Sequence, residues 1–157
     1  DPGDMDSRSI LMTISAFTVN GLTTLGKKGD WCLYPINAVI QNYCDVKYKQ
    51  AITVIFPYWL KLIYHGQPEI TSYFHELFGV EINLRTPDEI LQDGLWELFK
   101  LYDKYGIAAS FSEIHEIQED KLRLHGMVES LGEMQSIYTE LTAEKVEKMI
   151  LESVRGM

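Results

Sequence analysis

The chain has 157 residues, 46% of them apolar, and carries 14 Lys/Arg against 23 Asp/Glu for a formal charge of −9. That length supports one ordinary domain with a real core, and that apolar share excludes a chain disordered throughout. The negative charge sets the chain against nucleic-acid backbones and anionic membrane surfaces, so neither is expected as a partner.

The charge is unevenly spread. Residues 1–66 hold 6 Lys/Arg and 5 Asp/Glu, a net of +1, whereas residues 67–157 hold 8 and 18, a net of −10. Well-solvated later helices account for this, with an acidic docking face as the alternative. The two cysteines, Cys32 and Cys44, bracket one predicted helix. At a rise of about 1.5 Å per residue they stand roughly 18 Å apart, beyond the ~7 Å Cα separation a disulfide allows. Reduced thiols suit a cytoplasmic protein. No basic-then-apolar leader opens the chain. The longest uncharged apolar run, Ala51 to Leu60, is half the roughly 20 residues a bilayer span needs.

Asp1-Pro2-Gly3-Asp4 reads as a loop. A first helix is predicted from about Ser7 to Leu25, N-capped by Asp6 or Ser7. It is apolar on both sides and so expected to be buried all round. Gly26-Lys27-Lys28-Gly29 breaks it. A second helix runs from near Cys32 to near Asp45, with Pro35 tolerated in its first turn. The third, about Tyr48 to Tyr64, repeats Ile52, Ile55, Phe56, Trp59 and Ile63 at helical spacing and contains Pro57, where a kink is expected. A fourth spans Glu69 to Phe78 and stops at Gly79, and Val80 to Leu84 is predicted as an extended link. Thr86-Pro87-Asp88-Glu89 is a capping box opening a fifth helix that Gly106 ends. Its inner face is Ile90, Gly94, Leu95, Leu98, Phe99 and Tyr102. A short helix starts at Ser112, another runs from Gln118 to Glu129, and Leu141-Thr142-Ala143-Glu144 opens the last, striped with Val146, Met149, Ile150 and Val154. With no period-two alternation, the fold class is all-α, an orthogonal bundle of seven or eight helices in one domain, 1–157.

The run Gly29-Asp30-Trp31-Cys32-Leu33-Tyr34-Pro35-Ile36-Asn37-Ala38, continuing through Tyr43-Cys44-Asp45-Val46-Lys47-Tyr48 to Phe56-Pro57-Tyr58-Trp59-Leu60, resembles the C-terminal helical lobe of the iron-containing alcohol dehydrogenases, in the butanol dehydrogenase branch. Asp6-Ser7-Arg8 ahead of an apolar helix, Val19-Asn20-Gly21-Leu22, Phe78-Gly79-Val80, Tyr105-Gly106-Ile107 and Leu141-Thr142-Ala143-Glu144-Lys145-Val146 follow the same pattern in order. The resemblance covers almost the whole chain. It implies the dehydroquinate synthase-like helical lobe of a two-domain enzyme that uses Fe or Zn and NAD(P), with the nucleotide-binding domain absent here. No glycine has another within two positions, so no Gly-x-Gly phosphate cradle is present.

The family carries two metal-ligand histidines and a third histidine beside the nicotinamide in this run. The resemblance puts Tyr34 and Tyr48 on the ligand positions and Ala38 on the third, leaving a vestigial site with no intact catalytic, cofactor-binding or metal residue. A catalytic divalent ion takes three or four histidine or carboxylate ligands and polarises the substrate oxygen. Neutral imidazole offers its lone pair directly, whereas a phenol of pKa about 10 must first ionise. Phenolate binds ferric iron, so the tyrosines as substitute ligands stay an alternative to tyrosines that fill the former cavity. His75-Glu76 begins like a zinc-protease helix, but Gly79 stands where the second histidine belongs. His65, His115 and His125 match no metal spacing and read as surface residues, and Cys44 reads as a small core residue.

The expectation is an isolated, inactive lobe or pseudoenzyme of this family with no cofactor of its own. One alternative is half of an alcohol dehydrogenase completed in trans by a nucleotide-binding chain. Another is a helical interaction module, with a homo-oligomer or a nucleotide-binding-domain protein as partner.

Overall fold

The computed structural model describes residues 3–156, apart from the side chain of Thr23; Asp1 and Pro2 of the predicted opening loop lie outside the described residues. The contacts divide the chain into two compact units, Asp1–Trp31 and Cys32–Met157.

The first unit is one helix and a turn. Helix α1 spans Met5–Val19, and a 3-10 turn follows at Leu22–Thr24. Its cap is Asp4, not Asp6 or Ser7. The Asp4 carboxylate accepts from the Ser7 amide at 3.0 Å and the Ser7 hydroxyl at 2.7 Å. Those bonds hold its pKa below the usual carboxylate value. The helix ends six residues before the predicted Leu25, because Gly21 takes a left-handed φ of 74°. Expected to be enclosed, α1 buries none of its side chains: a lone helix has nothing within its own unit to pack against.

The second unit holds α2 (Leu33–Cys44), α3 (Tyr48–Ile63), α4 (Pro68–Phe78), α5 (Pro87–Tyr105), α6 (Lys121–Glu129) and α7 (Ala143–Arg155), with a 3-10 turn at Phe111–Glu113 where a short helix was predicted. The fold is all-α: seven α-helices and no strand among the described residues, with one isolated bridge between Gln135 and Glu140. No helix among them is long and apolar enough to cross a membrane. Helix α3 packs on α7 and α2, α4 on α5, and α6 on α7. Ile36, Ile40, Val54, Ile55, Val146, Ile150 and Val154 are fully buried where α2, α3 and α7 meet. The predicted stripe of α7 is its buried face, with Ser153 added and its hydroxyl turned back onto the Ile150 carbonyl.

Pro57 sits inside α3 and is buried. Proline has no N–H, so the Thr53 carbonyl one turn earlier loses its helical donor. The Tyr102 hydroxyl of α5 supplies the replacement, donating to that carbonyl at 2.7 Å. Burial, with a smaller contribution from the charge of Tyr73, pushes the Tyr102 phenol up to about 12, so it stays a donor across the working pH range. The neighbouring Tyr58 hydroxyl donates to the Ala109 carbonyl at 2.9 Å and fixes the chain after α5. Helix α5 also comes close to α4. A Cβ on Gly94 would lie 2.3 Å from the fully buried ring of Phe74, so only glycine fits.

The ends of α5 are as predicted. Thr86 and Glu89 cap each other, the Glu89 carboxylate accepting from the Thr86 amide at 2.8 Å, and Gly106 closes the helix at φ 63°. The link before it is not extended: a turn falls at Asn83 and Leu84, and Leu84 takes φ 57°, a left-handed conformation unusual for a leucine. Asp45 does the same at the end of α2 (φ 51°), where short acidic side chains are tolerated. Arg123 of α6 donates to the freed Asn42 carbonyl at 2.8 Å and lies over the Tyr43 ring, whose hydroxyl accepts the Asp120 amide at 2.9 Å.

Two outcomes are expected. Tyr102→Phe should lower stability to urea by about 1–3 kcal/mol, the cost of an unpaired carbonyl, and this cost should shrink in a Pro57→Ala background, where an amide again reaches Thr53. The second concerns His125 of α6, whose Nδ1 lies 2.7 Å from the Glu147 carboxylate of α7. The hydrogen bond and charge of Glu147 raise its pKa above 6.5. A raised histidine pKa stabilises fully below the unfolded value and loses that effect as pH climbs through the folded one. Wild type should therefore exceed His125→Gln in melting temperature near pH 6, and the gap should close toward pH 8 or above.

Candidate functional site

Tyr34 and Ala38 lie one turn apart on α2, on the side opposite the buried Ile36, Val39, Ile40 and Tyr43. Tyr48 is the first residue of α3, whose N-terminus is held by the Lys47 amide donating to the Gln50 side chain at 3.0 Å. Asp45 takes a left-handed conformation and turns the chain between α2 and α3. The rings of Tyr34 and Tyr48 thus meet, their centroids 6.3 Å apart and tilted by 56°. The structure brings these two residues together in one open patch, with Ala38 on the same exposed face of α2.

The rings do not fill an enclosed cavity, as the sequence suggested. Tyr34 is 63% exposed and Tyr48 46%. Ala38 is exposed too, and its carbonyl accepts from the Asn42 side chain at 2.9 Å. Desolvation raises the Tyr48 pKa above 10, and the charge of Tyr34 and a hydrogen bond with it add to the rise. The Tyr48 phenol is thereby held toward its protonated form, which does not ligate a cation.

The donor set does not fit a catalytic divalent metal. The patch offers two phenols and a methyl group, and among the described residues no group of three or more His, Cys, Asp or Glu side chains could hold an ion. The histidines are dispersed and exposed: His75 bonds the Val80 carbonyl at 2.9 Å and His125 bonds Glu147. Cys32 and Cys44 are buried and not joined in a disulfide, and burial pushes the Cys44 thiol up to about 12, which leaves it inert as a nucleophile.

Asn37, next to Ala38 in sequence, went unnoticed in the sequence because it lies among polar and apolar neighbours without a motif. It is 1% exposed, and its side-chain Oδ1 has no hydrogen-bond partner. A separate open groove of about 470 Å³ is lined by Leu95, Trp96, Phe99 and Ala109, with the Glu113 carboxylate at its edge.

The fold matches the helical C-terminal domain of a butanol dehydrogenase structure. The crystal structure of NADH-dependent butanol dehydrogenase A from Thermotoga maritima superposes on 98% of this chain and 40% of its own, with a TM-score of 0.77 at 19% identity. The sequence agrees: it is 26% identical over 123 residues to NADH-dependent butanol dehydrogenase A of Clostridium acetobutylicum, covering 77% of this chain and 31% of that protein. It is also 20% identical over 123 residues to probable NADH-dependent butanol dehydrogenase 1 of Bacillus subtilis, covering 78% and 32%. No protein-family model matches the chain. The chain is thus related to the iron-containing alcohol dehydrogenases of the butanol dehydrogenase branch and is similar to their C-terminal helical region. It spans about a third of the length of the curated relatives it matches.

If Tyr34 contributes to the raised Tyr48 pKa through its hydroxyl, Tyr34→Phe should lower the Tyr48 pKa part of the way toward 10 while the ring keeps its desolvating effect. Ultraviolet titration of the phenolate reads the change; an unmoved Tyr48 would refute the coupling.

Proposed function

We propose that this chain is a helical lobe of the alcohol dehydrogenase kind that does not itself carry out metal-dependent dehydrogenation, a pseudoenzyme or separated lobe. The observation that carries this reading is the patch formed by Tyr34, Ala38 and Tyr48, which offers two paired phenols and a methyl group. Dehydrogenation by this family's route needs a cation to polarise the alcohol oxygen while hydride passes to a nicotinamide. Neither Fe nor Zn, nor NAD(P), is expected to bind this chain with useful affinity.

A half-enzyme completed in trans is the second reading. A helical interaction module is the third, and the groove beside Trp96 and Phe99 favours that one. In each reading the working partner is a second copy of the chain or a protein with a nucleotide-binding domain, in the cytoplasm, and no nucleic acid or membrane is engaged.

Purified protein, assayed with butanol, butyraldehyde, NAD and NADP, should give no turnover, and metal analysis should find no stoichiometric iron or zinc. Added ferric iron should produce no phenolate charge-transfer colour. Saturable turnover by the chain alone, or a colour that disappears in Tyr34→Phe, would overturn the reading. Turnover that appears only on mixing with a nucleotide-binding chain would favour the second. Light scattering should find an assembly larger than one chain, and a monodisperse monomer at high concentration would remove the homo-oligomer.

A further inference from the structure

We propose that Tyr34 and Tyr48 form an oxidative cross-linking site, at which a haem peroxidase with hydrogen peroxide couples the two phenols through their ortho carbons into dityrosine. Three observations support it. The centroids, 6.3 Å apart, lie inside the ~4.5–7 Å range of aromatic contact. Both rings are open to solvent, so the oxidant's radical-generating chemistry reaches them, and exposed side chains reorient within nanoseconds to bring ortho carbons together. Their backbones are fixed at the first turns of α2 and α3, so each radical is held beside its partner at high effective concentration.

The surroundings favour this pair over other fates. Of the ring pairs among the described residues, it alone joins two tyrosines. Tyr43, Tyr58, Tyr64 and Tyr102 are buried, and the exposed Tyr105 has the Lys104 ammonium over its ring. Cys32 and Cys44, whose thiols would otherwise quench a phenoxyl radical, are buried.

The reaction balances. Each phenol gives up one electron and its hydroxyl proton, and together these reduce one peroxide to two waters. The two phenoxyl radicals join in a carbon–carbon bond. The ortho hydrogens then move to the oxygens, restoring both hydroxyls and both aromatic rings. The protein loses two hydrogens overall and gains a covalent tie between the starts of α2 and α3, across the turn at Asp45.

The test treats the purified chain with horseradish-type peroxidase and a limiting amount of hydrogen peroxide. Dityrosine fluorescence should appear, and the mass of the single chain should fall by two hydrogens. Proteolytic mapping should join the peptides carrying residues 34 and 48, and the yield should not change on tenfold dilution. Tyr34→Phe and Tyr48→Phe should each abolish the product, while Tyr105→Phe should retain it. Dityrosine found only between chains, dityrosine that survives in either of the first two variants, or oxidation that falls on tryptophan and methionine alone would overturn the proposal.

Discussion

A proline in the middle of α3 removes one hydrogen bond from that helix, and a tyrosine on another helix restores it. Pro57 cannot donate to Thr53, so the carbonyl is left facing α5, and Tyr102 is the group that meets it at 2.7 Å. An unpaired buried carbonyl costs about 1–3 kcal/mol, a large part of the few kcal/mol that a domain this size has in reserve. The azimuth of α5 is therefore constrained: a rotation that moves Tyr102 off Thr53 exposes that cost. Once α5 is set, Gly94 lies under the Phe74 ring and admits α4 at close range. The Tyr58 bond to Ala109 then returns the chain toward Phe111 and α6. One missing N–H thus sets the relation of α3, α4 and α5.

The acidic excess of the later helices is distributed to do structural work at the surface. Arg155 of α7 pairs with Glu119 before α6, and Lys61 of α3 pairs with Glu152 of α7 at 2.9 Å. Exposed pairs of this kind contribute about 0–1 kcal/mol each, so they align helices whose attachment comes from buried side chains. Asp120 contributes differently. It caps α6 with its carboxylate and gives its own amide to Tyr43, which ties the helix start to α2.

How much of this was legible in the sequence depended on range. Both ends of α5 and the start of α7 were readable because their chemistry is local: Thr86 with Glu89 and Gly106, Thr142 ahead of Ala143, each group meeting a neighbour within a few residues. The start of α1 was not, since Asp4, Asp6 and Ser7 are all competent caps and the choice turns on which one leaves its backbone extended. Leu84 defeated the reading for the opposite reason: no rule places a leucine at positive φ, so an apolar run looked like an extended link. The Tyr102–Thr53 bond spans 49 residues. Helical spacing marked Tyr102 as an inner residue but held nothing about which carbonyl it would find.

The tyrosine patch was half legible. Positions 34, 38 and 48 could be singled out by resemblance, but not their surroundings, because those depend on how Asp45 turns α2 into α3. That turn brings two phenols to one open face, where Tyr34 adds to the desolvation that disfavours ionisation of Tyr48. A pair of imidazoles at the same spacing would behave differently: a cation placed between them takes two neutral lone pairs and needs no proton removed. With phenols, the proton must leave first, from a group whose partner's charge opposes its loss. Two phenols at these positions therefore differ from imidazoles in more than ligand count. The Tyr48 hydroxyl is kept toward its protonated form, and the exposed carbon edges of the two rings are the reactive part of the patch.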